Sequence, residues 1–522
     1  MNAPAPTKTT ASPGLVVALA VVVVAIVHLA SARWHVRYGS LNADEGFYAI
    51  ATRSVANGEM PYRDFGFTQP PLVLYTNALP LRFAGFGLFQ QRAVNGLWAA
   101  LALALAAWWL ARRTRPAWGL GLALVFSLSA PWMYFIHLGK TYGVTTLLAM
   151  LAAWAFLALR PGPRRNFTLG VLAALGVGAR LPAAPFFGVL WLLALCPGRR
   201  PRVREGLAAL GGVALAGAIV GLPFWLADRD AMKFWVVDFH RASVPLKDWS
   251  LTWREIAALA PAVWLLGALA LGVVVGRRRF AARETGVLLA AGAALAANLL
   301  PGGVYEEYGV PFLLPLAAAA AALVYDECQT RKNAIAMALA TTLAAAQLLT
   351  APLSSGNARR SRSGTASAWL TPHAPPYNFL LPAQLAAARR VVETSLAPGA
   401  PFIGPNIILA AETGRSVPPP LRMGPFSFTV EIPPDQAARL HLATHEVLDE
   451  WFARRDVTLL AFFKRRELNY GWSMPSFDQL REDFHLQWFA PIRRDFATAY
   501  GSGDDFLLLV RKPAAPSPNA GG

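Results

Sequence analysis

Long apolar runs recur through the first two thirds of the sequence, and they limit most strongly how the chain can fold. A helix needs about 20 mainly apolar residues to cross a hydrocarbon core roughly 30 Å thick. Eleven segments reach or approach that length: 14–32, 93–111, 117–136, 141–159, 167–181, 183–197, 206–226, 257–276, 285–300, 310–325 and 333–352. Pro182 and Pro185 separate the fifth segment from the sixth, because proline ends a helix. The sequence therefore predicts a polytopic α-helical membrane protein with eleven transmembrane helices.

The distribution of charge predicts how these helices are oriented. The formal net charge is +18, although only 15% of the residues are charged. Arg and Lys in short loops resist translocation, and the loops after segments two, four, six, eight and ten hold 16 of them against four acidic residues. We expect these loops and the N-terminus in the cytoplasm, residues after 352 outside it, and the protein in the inner (cytoplasmic) membrane. The charge is then an orientation signal, so no nucleic-acid partner is expected.

The start of the chain allows a second interpretation. Residues 15–27 resemble the apolar core of a signal peptide, and Ala30-Ser31-Ala32 resembles its cleavage site. A basic region should precede such a core, but only Lys8 does so. A retained anchor is therefore favoured over a cleaved signal.

The composition divides the rest of the chain into distinct regions. Residues 1–352 are expected to form the membrane body, 353–376 a linker rich in Ser, Arg, Ala and Pro, 377–512 a soluble domain outside the cytoplasm, and 513–522 a disordered tail. Within the soluble domain, apolar spacing predicts strands at 457–463 and 505–511 and helices at 434–455 and 476–487. This alternation indicates a small α/β layer.

The first outer loop, residues 33–92, is long and polar for this chain and contains LNADEGFYAIATRSVANGEMPYRDFGFTQPPLVLY. Asn42 or Asp44 can cap a helix that runs to about Ala56 and ends at Gly58. Apolar residues recur along it at helical spacing, which predicts a helix lying in the membrane interface. Asp44 and Glu45 would then lie in its first turn. Acids there also complement the helix dipole, which is a purely structural explanation for them.

Several pieces of the sequence together resemble a known family. They are the Asp44-Glu45 pair after the first span, Gln69-Pro70-Pro71-Leu72 further along the same loop, and the segment 411–426 (AETGRSVPPPLRMGPF) in the soluble domain. With the predicted topology over 14–352, they resemble bacterial membrane glycosyltransferases of the GT-C fold class. These include protein O-mannosyltransferases, lipid A aminoarabinose transferases and undecaprenyl-phosphate-sugar transferases.

The resemblance implies a function and a catalytic residue. It implies transfer of a sugar from a polyprenyl-phosphate donor to a lipid, glycan or protein acceptor outside the cytoplasm, with inversion at the anomeric carbon. The family's general base matches Asp44, with Glu45 as its neighbour. A carboxylate at a helix start stays ionised, and a base within hydrogen-bond reach of an alcohol assists its attack.

Two basic residues beside the predicted spans are candidates for contacts with the donor phosphate. Lys140 lies in HLGKTYG after the third span, and Arg180 lies at the outer end of the fifth. Ionisable groups near membrane depth suggest function, although long basic side chains also extend to the interface without any other role. Family members often carry a further acid in the second outer loop, where this chain has His137 and Lys140. That departure puts a two-carboxylate or metal-dependent mechanism in doubt.

A second acidic pair lies in the loop before the tenth span, in GGVYEEYGVPF. Glu306 and Glu307 could ligate a divalent cation such as Mg²⁺ or Mn²⁺, or position a sugar hydroxyl, since carboxylates suit hard cations. A solvated loop is the structural alternative.

A non-enzymatic transporter or flippase of lipid-linked saccharides is the alternative function. Transporters carry broken helices and charges near mid-span, whereas the charges here lie mostly at span ends. The sequence has no P-loop, no G-x-G-x-x-G after a strand, no H-E-x-x-H and no G-x-S-x-G. His441 and His445 have helical spacing for a metal, but the sequence offers no evident third ligand. The glycosyltransferase is therefore favoured.

Overall fold

The computed structural model describes most of the predicted membrane body and parts of the C-terminal region. The described residues are 13–38, 42, 44–195, 203–243, 260–299, 306–329, 382–404, 406–428, 432–453, 459–463, 484–490 and 506–512. The predicted eleventh span (333–352), the linker (353–376) and the tail (513–522) lie outside them.

Helices make up the first part of the chain. They are α1 (Pro13–Tyr38), α2 (Glu45–Ala56), α3 (Leu72–Ala84), α4 (Leu88–Arg113), α5 (Pro116–Leu128), α6 (Ala130–His137), α7 (Tyr142–Ala158), α8 (Pro163–Ala179), α9 (Ala184–Leu195), α10 (Val203–Val220), α11 (Leu222–Ala227), α12 (Arg229–Lys233), α13 (Phe239–Ser243), α14 (Pro261–Gly276), α15 (Arg283–Leu299) and α16 (Val310–Cys328). A π-helical turn spans Phe234–Asp238, and 3₁₀ turns span Leu181–Ala183 and Glu306–Tyr308.

Each of the first ten predicted spans contains one or two of these helices. Four of the described helices are long and apolar enough to cross a membrane: Gly14–Arg37, Leu88–Arg113, Val203–Val220 and Val310–Cys328. Helix α16 is the most enclosed of these, with 83% of its apolar window buried, whereas α1 lies at the edge with 6% buried. The exact number of transmembrane helices stays a prediction.

Two predicted spans are each divided into two helices. The segment 117–136 breaks at Ser129, and the segment 206–226 breaks at Gly221. Pro131 and Pro223 lie in the first turns of the helices that follow these breaks. Proline lacks an N–H and clashes with the preceding turn, so it is accepted at a helix start but not in the interior. The single helices expected over these segments were wrong for that reason.

Charged residues from several predicted inner loops meet at one end of the bundle. Arg113 pairs with Glu284 at 3.1 Å and with Asp326 at 2.8 Å, and Arg279 also pairs with Asp326 at 2.9 Å. Arg277 pairs with Glu327 at 2.5 Å. Loops that the charge pattern assigned to one side are therefore neighbours in space. Helix α4 runs from Leu88 to Arg113 at this end, and near its start Arg92 pairs with Glu45 of helix α2, so α2 lies at the opposite end.

Helix α2 is buried on every side, whereas its apolar spacing predicts a helix that keeps one face exposed in the membrane interface. All of its residues from Glu45 to Thr52 are buried, as are Ser54 and Val55. An interfacial helix would keep one polar face in water. The expected exposed face was wrong, because elements distant in sequence cover it. The depth of the helix in the membrane stays a prediction. The predicted end of the helix is confirmed, since Gly58 follows it with φ of +93°.

The described C-terminal residues combine short helices with one small sheet. The helices are α17 (Pro382–Ser395), α18 (Ile408–Thr413), α19 (Pro434–Arg439) and α20 (His445–Ala453), with 3₁₀ turns at Pro419–Leu421 and Gly424–Phe428. The strands are β1 (Leu459–Phe463), β2 (Phe484–Ala490) and β3 (Phe506–Arg511), in the antiparallel order β1-β3-β2. Leu459 lies opposite Val510, and Phe484 lies opposite Arg511.

Two helix predictions in this region were wrong. The predicted helix 434–455 is interrupted at His441, which has φ of +56°. The interruption allows the Leu440 carbonyl to accept a 2.9 Å hydrogen bond from Trp235 Nε1. Residues 484–487 of the predicted helix 476–487 belong to strand β2, because pairing with β3 satisfies their backbone. Residues 476–483 lie outside the described part of the chain.

Candidate active site

The candidate base, Asp44, lies immediately before helix α2. Its backbone N–H donates to Asn42 Oδ1 at 3.0 Å, and its side chain makes no capping hydrogen bond to the helix. The carboxylate instead contacts Lys140, with Oδ2 at 2.7 Å from Nζ. The Asp44 side chain is 18% exposed, whereas that of Lys140 is 4% exposed. Asp44 thus presents a partly accessible carboxylate that is not used to cap the helix.

Lys140 joins two segments that are far apart in sequence. It lies in the turn between α6 and α7, and besides Asp44 its Nζ contacts Glu307 Oε1 at 3.1 Å. The same oxygen of Glu307 accepts a 2.9 Å hydrogen bond from the Tyr142 hydroxyl. Burial by itself lowers the pKa of Lys140. The carboxylates of Asp44 and Glu307 raise it by more than burial lowers it, so the pKa lies well above its ordinary value. Lys140 is therefore a cation shared by two carboxylates.

Arg180 provides a second buried cation beside this cluster. It follows helix α8, and its Nη1 donates to Thr141 Oγ1 at 2.8 Å. Its guanidinium lies 4.3 Å from the ring centre of Tyr308 and 4.8 Å from that of Tyr142. Within the described residues its Nε has no hydrogen-bond partner. A buried donor without a partner is costly, and a bound anion would satisfy it.

The Glu45 carboxylate does not contact Lys140 but forms a separate ion pair. Arg92 donates to both carboxylate oxygens, at 2.7 and 2.6 Å, and both side chains are 1% exposed. Glu45 also accepts from the backbone N–H of Gly139 at 2.9 Å and of Asn42 at 2.8 Å. These bonds join the start of α2 to α4 and to the turn that holds Lys140. The predicted catalytic pair thus has two different environments.

The structure describes the side chain of only one member of the second acidic pair. Glu307 lies in the cluster, whereas the side chain of Glu306 lies outside the described residues. The described residues contain no group of three or more His, Cys, Asp or Glu that could hold a metal ion. The ammonium of Lys140 contacts both Asp44 and Glu307, which are the carboxylates that a cation would use. Because the Lys140 ammonium lies between the carboxylates of Asp44 and Glu307, these side chains do not form a site for a divalent metal.

Sequence reasoning missed several residues that build the cluster. Thr141, Tyr142 and Tyr308 contact Arg180, Glu307 or both. Arg92, which binds Glu45, was overlooked although it is a charged residue near the start of an apolar helix. That position was a usable signal, because an ionisable residue in such a helix needs a partner.

Hydrogen bonds reach the backbone at the start of the Gln69-Pro70-Pro71-Leu72 motif and at the residue before it. The Tyr62 hydroxyl donates to the Gln69 carbonyl at 2.7 Å. His240 Nε2 lies 2.6 Å from the Thr68 carbonyl oxygen and donates to it in the corresponding tautomer. The second bond therefore links the residue before the motif to helix α13, which contains His240.

The fold is shared with a solved transferase. No family model and no curated protein matches the sequence. The structure of ArnT from Cupriavidus metallidurans in the apo state superposes with a TM-score of 0.59 at 14% identity, over 96% of this chain and 98% of that one. The form of the same protein bound to undecaprenyl phosphate gives 0.58 at 14%, over 97% and 100%. The chain has the GT-C fold. The fold class implied by the sequence resemblance is thereby confirmed, and the fold and the apolar helices together place the protein in a membrane.

A more distant likeness is to the oligosaccharyltransferase of Archaeoglobus fulgidus, with a TM-score of 0.45 at 12% identity, over 93% of this chain and 74% of that one.

Proposed function

We propose that the protein is an integral membrane glycosyltransferase that moves a sugar from a polyprenyl-phosphate donor to a lipid, glycan or protein acceptor. The observation that carries this proposal is the cluster of Asp44, Lys140 and Glu307 beside the buried Arg180. It combines a partly exposed carboxylate with two cations suited to a phosphate. ArnT, whose fold the chain shares, has been solved with undecaprenyl phosphate bound, which supports this class of donor.

In the proposed reaction, Asp44 accepts the proton of the acceptor hydroxyl as its oxygen attacks the anomeric carbon. The bond between that carbon and the donor phosphate oxygen breaks, and the polyprenyl phosphate leaves with the electron pair. Lys140 and Arg180 stabilise the charge that develops on the phosphate. Direct displacement by the acceptor inverts the anomeric centre.

The position of Lys140 implies an exchange of partners when the donor binds. One ammonium contacts Asp44 at 2.7 Å and Glu307 at 3.1 Å. A donor phosphate that takes Lys140 as its partner leaves the Asp44 carboxylate free to accept a proton. Glu307, which the Tyr142 hydroxyl also contacts, keeps the ammonium near the site during this exchange. The base is thus proposed to become available only when the donor is bound.

The proposal retains the predicted domains and topology. Residues 1–352 form the membrane body with the catalytic first loop at 33–92, and residues 377–512 form a domain on the same, extracytoplasmic side of the inner membrane. The N-terminus is cytoplasmic. This arrangement follows from the basic loops, whose charged residues Arg113, Arg277 and Arg279 meet at the end of the bundle opposite Asp44.

The test of the proposed function is a transfer assay with purified protein in lipid nanodiscs. Radiolabelled undecaprenyl-phosphate sugars are supplied one at a time, and transfer to added membrane extract or slow hydrolytic release of the sugar is measured. Release that requires the active protein is expected for at least one sugar. Movement of intact labelled donor across a proteoliposome membrane without any release would identify a transporter instead.

Substitution of Lys140 by glutamine is expected to weaken binding of undecaprenyl phosphate by roughly 10- to 100-fold, because a hydrogen bond to a charged group contributes about 1.5–3 kcal/mol. Glutamine removes the positive charge but can still hydrogen-bond Asp44 and Glu307. Binding is measured in nanodiscs by isothermal titration. Arg389→Gln, which changes an Arg that is 48% exposed in the C-terminal region, is the control. Equal affinity in both variants would remove Lys140 from the proposed phosphate site.

A further inference from the structure

The catalytic helix α2 is enclosed by residues of the C-terminal region. At its start, Gly46 lies against the backbone of Ile408: a Cβ at position 46 would lie 2.8 Å from Ile408 N and 2.9 Å from its Cα. Real Cβ atoms do not approach backbone that closely, so only glycine fits here without displacing one of the two segments. Gly46 is two residues from Asp44 in the sequence. The contact therefore fixes the first turn of the helix beside the candidate base.

An aromatic contact continues along the same face of the helix. Phe47 packs edge-to-face with Phe426, with ring centres 5.6 Å apart. Phe426 also contacts Phe239 of helix α13 at 6.0 Å. Edge-to-face pairs contribute beyond the apolar area that they bury and prefer a defined geometry. The first loop, the α12–α13 region and the C-terminal region thus share one aromatic core.

Polar contacts hold the far end of α2. Arg422 donates to Ser54 Oγ at 3.2 Å and forms an ion pair with Glu59. Arg53 in turn donates to the backbone carbonyl of Arg415. The segment 406–428 therefore contacts α2 from its first turn to its last.

The same segment also reaches helix α4. Glu412 accepts a 3.3 Å hydrogen bond from the backbone N–H of Leu88, at the start of that helix. Arg92, one turn further along α4, binds Glu45. Residues 406–428 thus contact both helices whose relative position determines where the Asp44 carboxylate lies.

We propose that residues 406–428 act as a clamp that positions Asp44 for catalysis. Proton transfer needs the base within hydrogen-bond reach of the acceptor, and a displacement of about 1 Å can cost roughly 100-fold in rate. None of the clamp contacts described above involves Lys140 or Arg180, so its direct effect is on the position of the base. The C-terminal region is then part of the catalytic unit. The measurement of kcat that tests this proposal rests on the proposed sugar transfer.

The first test uses Gly46→Ala and Arg422→Gln, with Gly211→Ala as the matched control. A Cβ at Gly211 meets nothing within 4 Å, so that change adds the same methyl group in open space. We expect kcat to fall at least about tenfold in Gly46→Ala and Arg422→Gln, with no rise in KM for the donor and no loss of affinity for undecaprenyl phosphate. Arg422→Lys should recover part of the loss. An unchanged kcat, or equal losses of kcat and of phosphate affinity, would overturn the clamp.

The second test does not depend on catalysis. Backbone hydrogen exchange in residues 45–56 should become at least several-fold faster in Arg422→Gln than in the wild-type protein, while α7 and α8 keep their protection. Unchanged exchange in 45–56 would overturn the clamp whether or not the protein transfers sugar. If exchange rises but even the wild-type protein releases no sugar, the clamp on α2 is supported and the proposed function fails.

Discussion

Replacement of Asp44 by asparagine is expected to abolish sugar transfer while the protein still inserts and folds. Asparagine has the same shape but cannot accept a proton, and a positioned general base contributes roughly 10²- to 10⁴-fold to rate. Its amide oxygen can still accept the hydrogen bond from Lys140, now 2.7 Å from the carboxylate. Initial rates of transfer, normalised to folded protein by size-exclusion chromatography, give the measurement.

The matched control is Asp230→Asn. Asp230 belongs to helix α12 and has a side chain that is 83% exposed. It should retain full activity, because a solvated carboxylate far from Lys140 has no part in the proposed chemistry. Normal transfer by Asp44→Asn would show that another group is the base.

Asp44→Asn should also bind undecaprenyl phosphate more tightly than the wild-type protein, despite its loss of activity. Asparagine keeps the hydrogen bond to Lys140 but not the negative charge, so residue 44 competes less strongly with the phosphate for this cation. Two effects would tighten binding in Asp44→Asn: weaker competition for Lys140, and loss of the repulsion between Asp44 and the phosphate. A double-mutant cycle with Lys140→Gln distinguishes them. If Lys140 is the shared partner, the gain disappears in the Lys140→Gln background. A gain of the same size in that background would reject the exchange and leave only repulsion.

The largest loss of stability is expected when Arg92 is replaced by methionine. The change leaves the Glu45 carboxylate buried without its cation, and breaking a buried ion pair in this way costs about 3–5 kcal/mol. Both side chains are 1% exposed, so water cannot replace the partner. The expected observation is a much lower midpoint of thermal unfolding in detergent, together with a low yield of folded protein.

Two further variants make this result interpretable. Arg389→Gln breaks an exposed pair with Glu393 and a longer 3.7 Å contact with Glu412, for which the expected cost is at most about 1 kcal/mol. The double variant Glu45→Gln/Arg92→Met leaves no unpaired buried charge, so it should lose less than Arg92→Met alone. If Arg92→Met were no less stable than Arg389→Gln, the Glu45–Arg92 pair would not hold the start of α2.

The sequence could identify most members of the site but not their partners. Lys140 and Arg180 drew attention because a charge beside an apolar span needs an explanation. Asp44 did so through the family resemblance, and Glu307 because adjacent carboxylates suit a hard cation. They come from four separate segments, and their meeting depends on how the helices pack. The different surroundings of Asp44 and Glu45 could not be predicted, because successive residues at a helix start point about 100° apart and the sequence does not say what lies on either side. The structure places Lys140 beside one and Arg92 beside the other.

In the C-terminal region, too, the sequence predicted the elements that depend on local pattern and missed those that depend on distant residues. The strands at 459–463 and 506–511 follow from short apolar runs and were predicted within a few residues. The strand at 484–490 was missed, because its pairing with 506–511 outweighs its local pattern. The break at His441 likewise accompanies a hydrogen bond from Trp235 to the Leu440 carbonyl, a contact between residues distant in sequence.

The sequence by itself determined that this is a helical membrane protein and where most of its helices run. A helix satisfies its own backbone and needs only sufficient apolar length, so run length and proline are enough to locate it. Only the tertiary structure decided that α2 is buried, that Glu45 is tied to Arg92, and that Lys140 is shared by Asp44 and Glu307. A charge is buried only beside an opposite charge or hydrogen-bonding group, and a helix face only against another element. Here these come from parts of the chain that are distant in sequence.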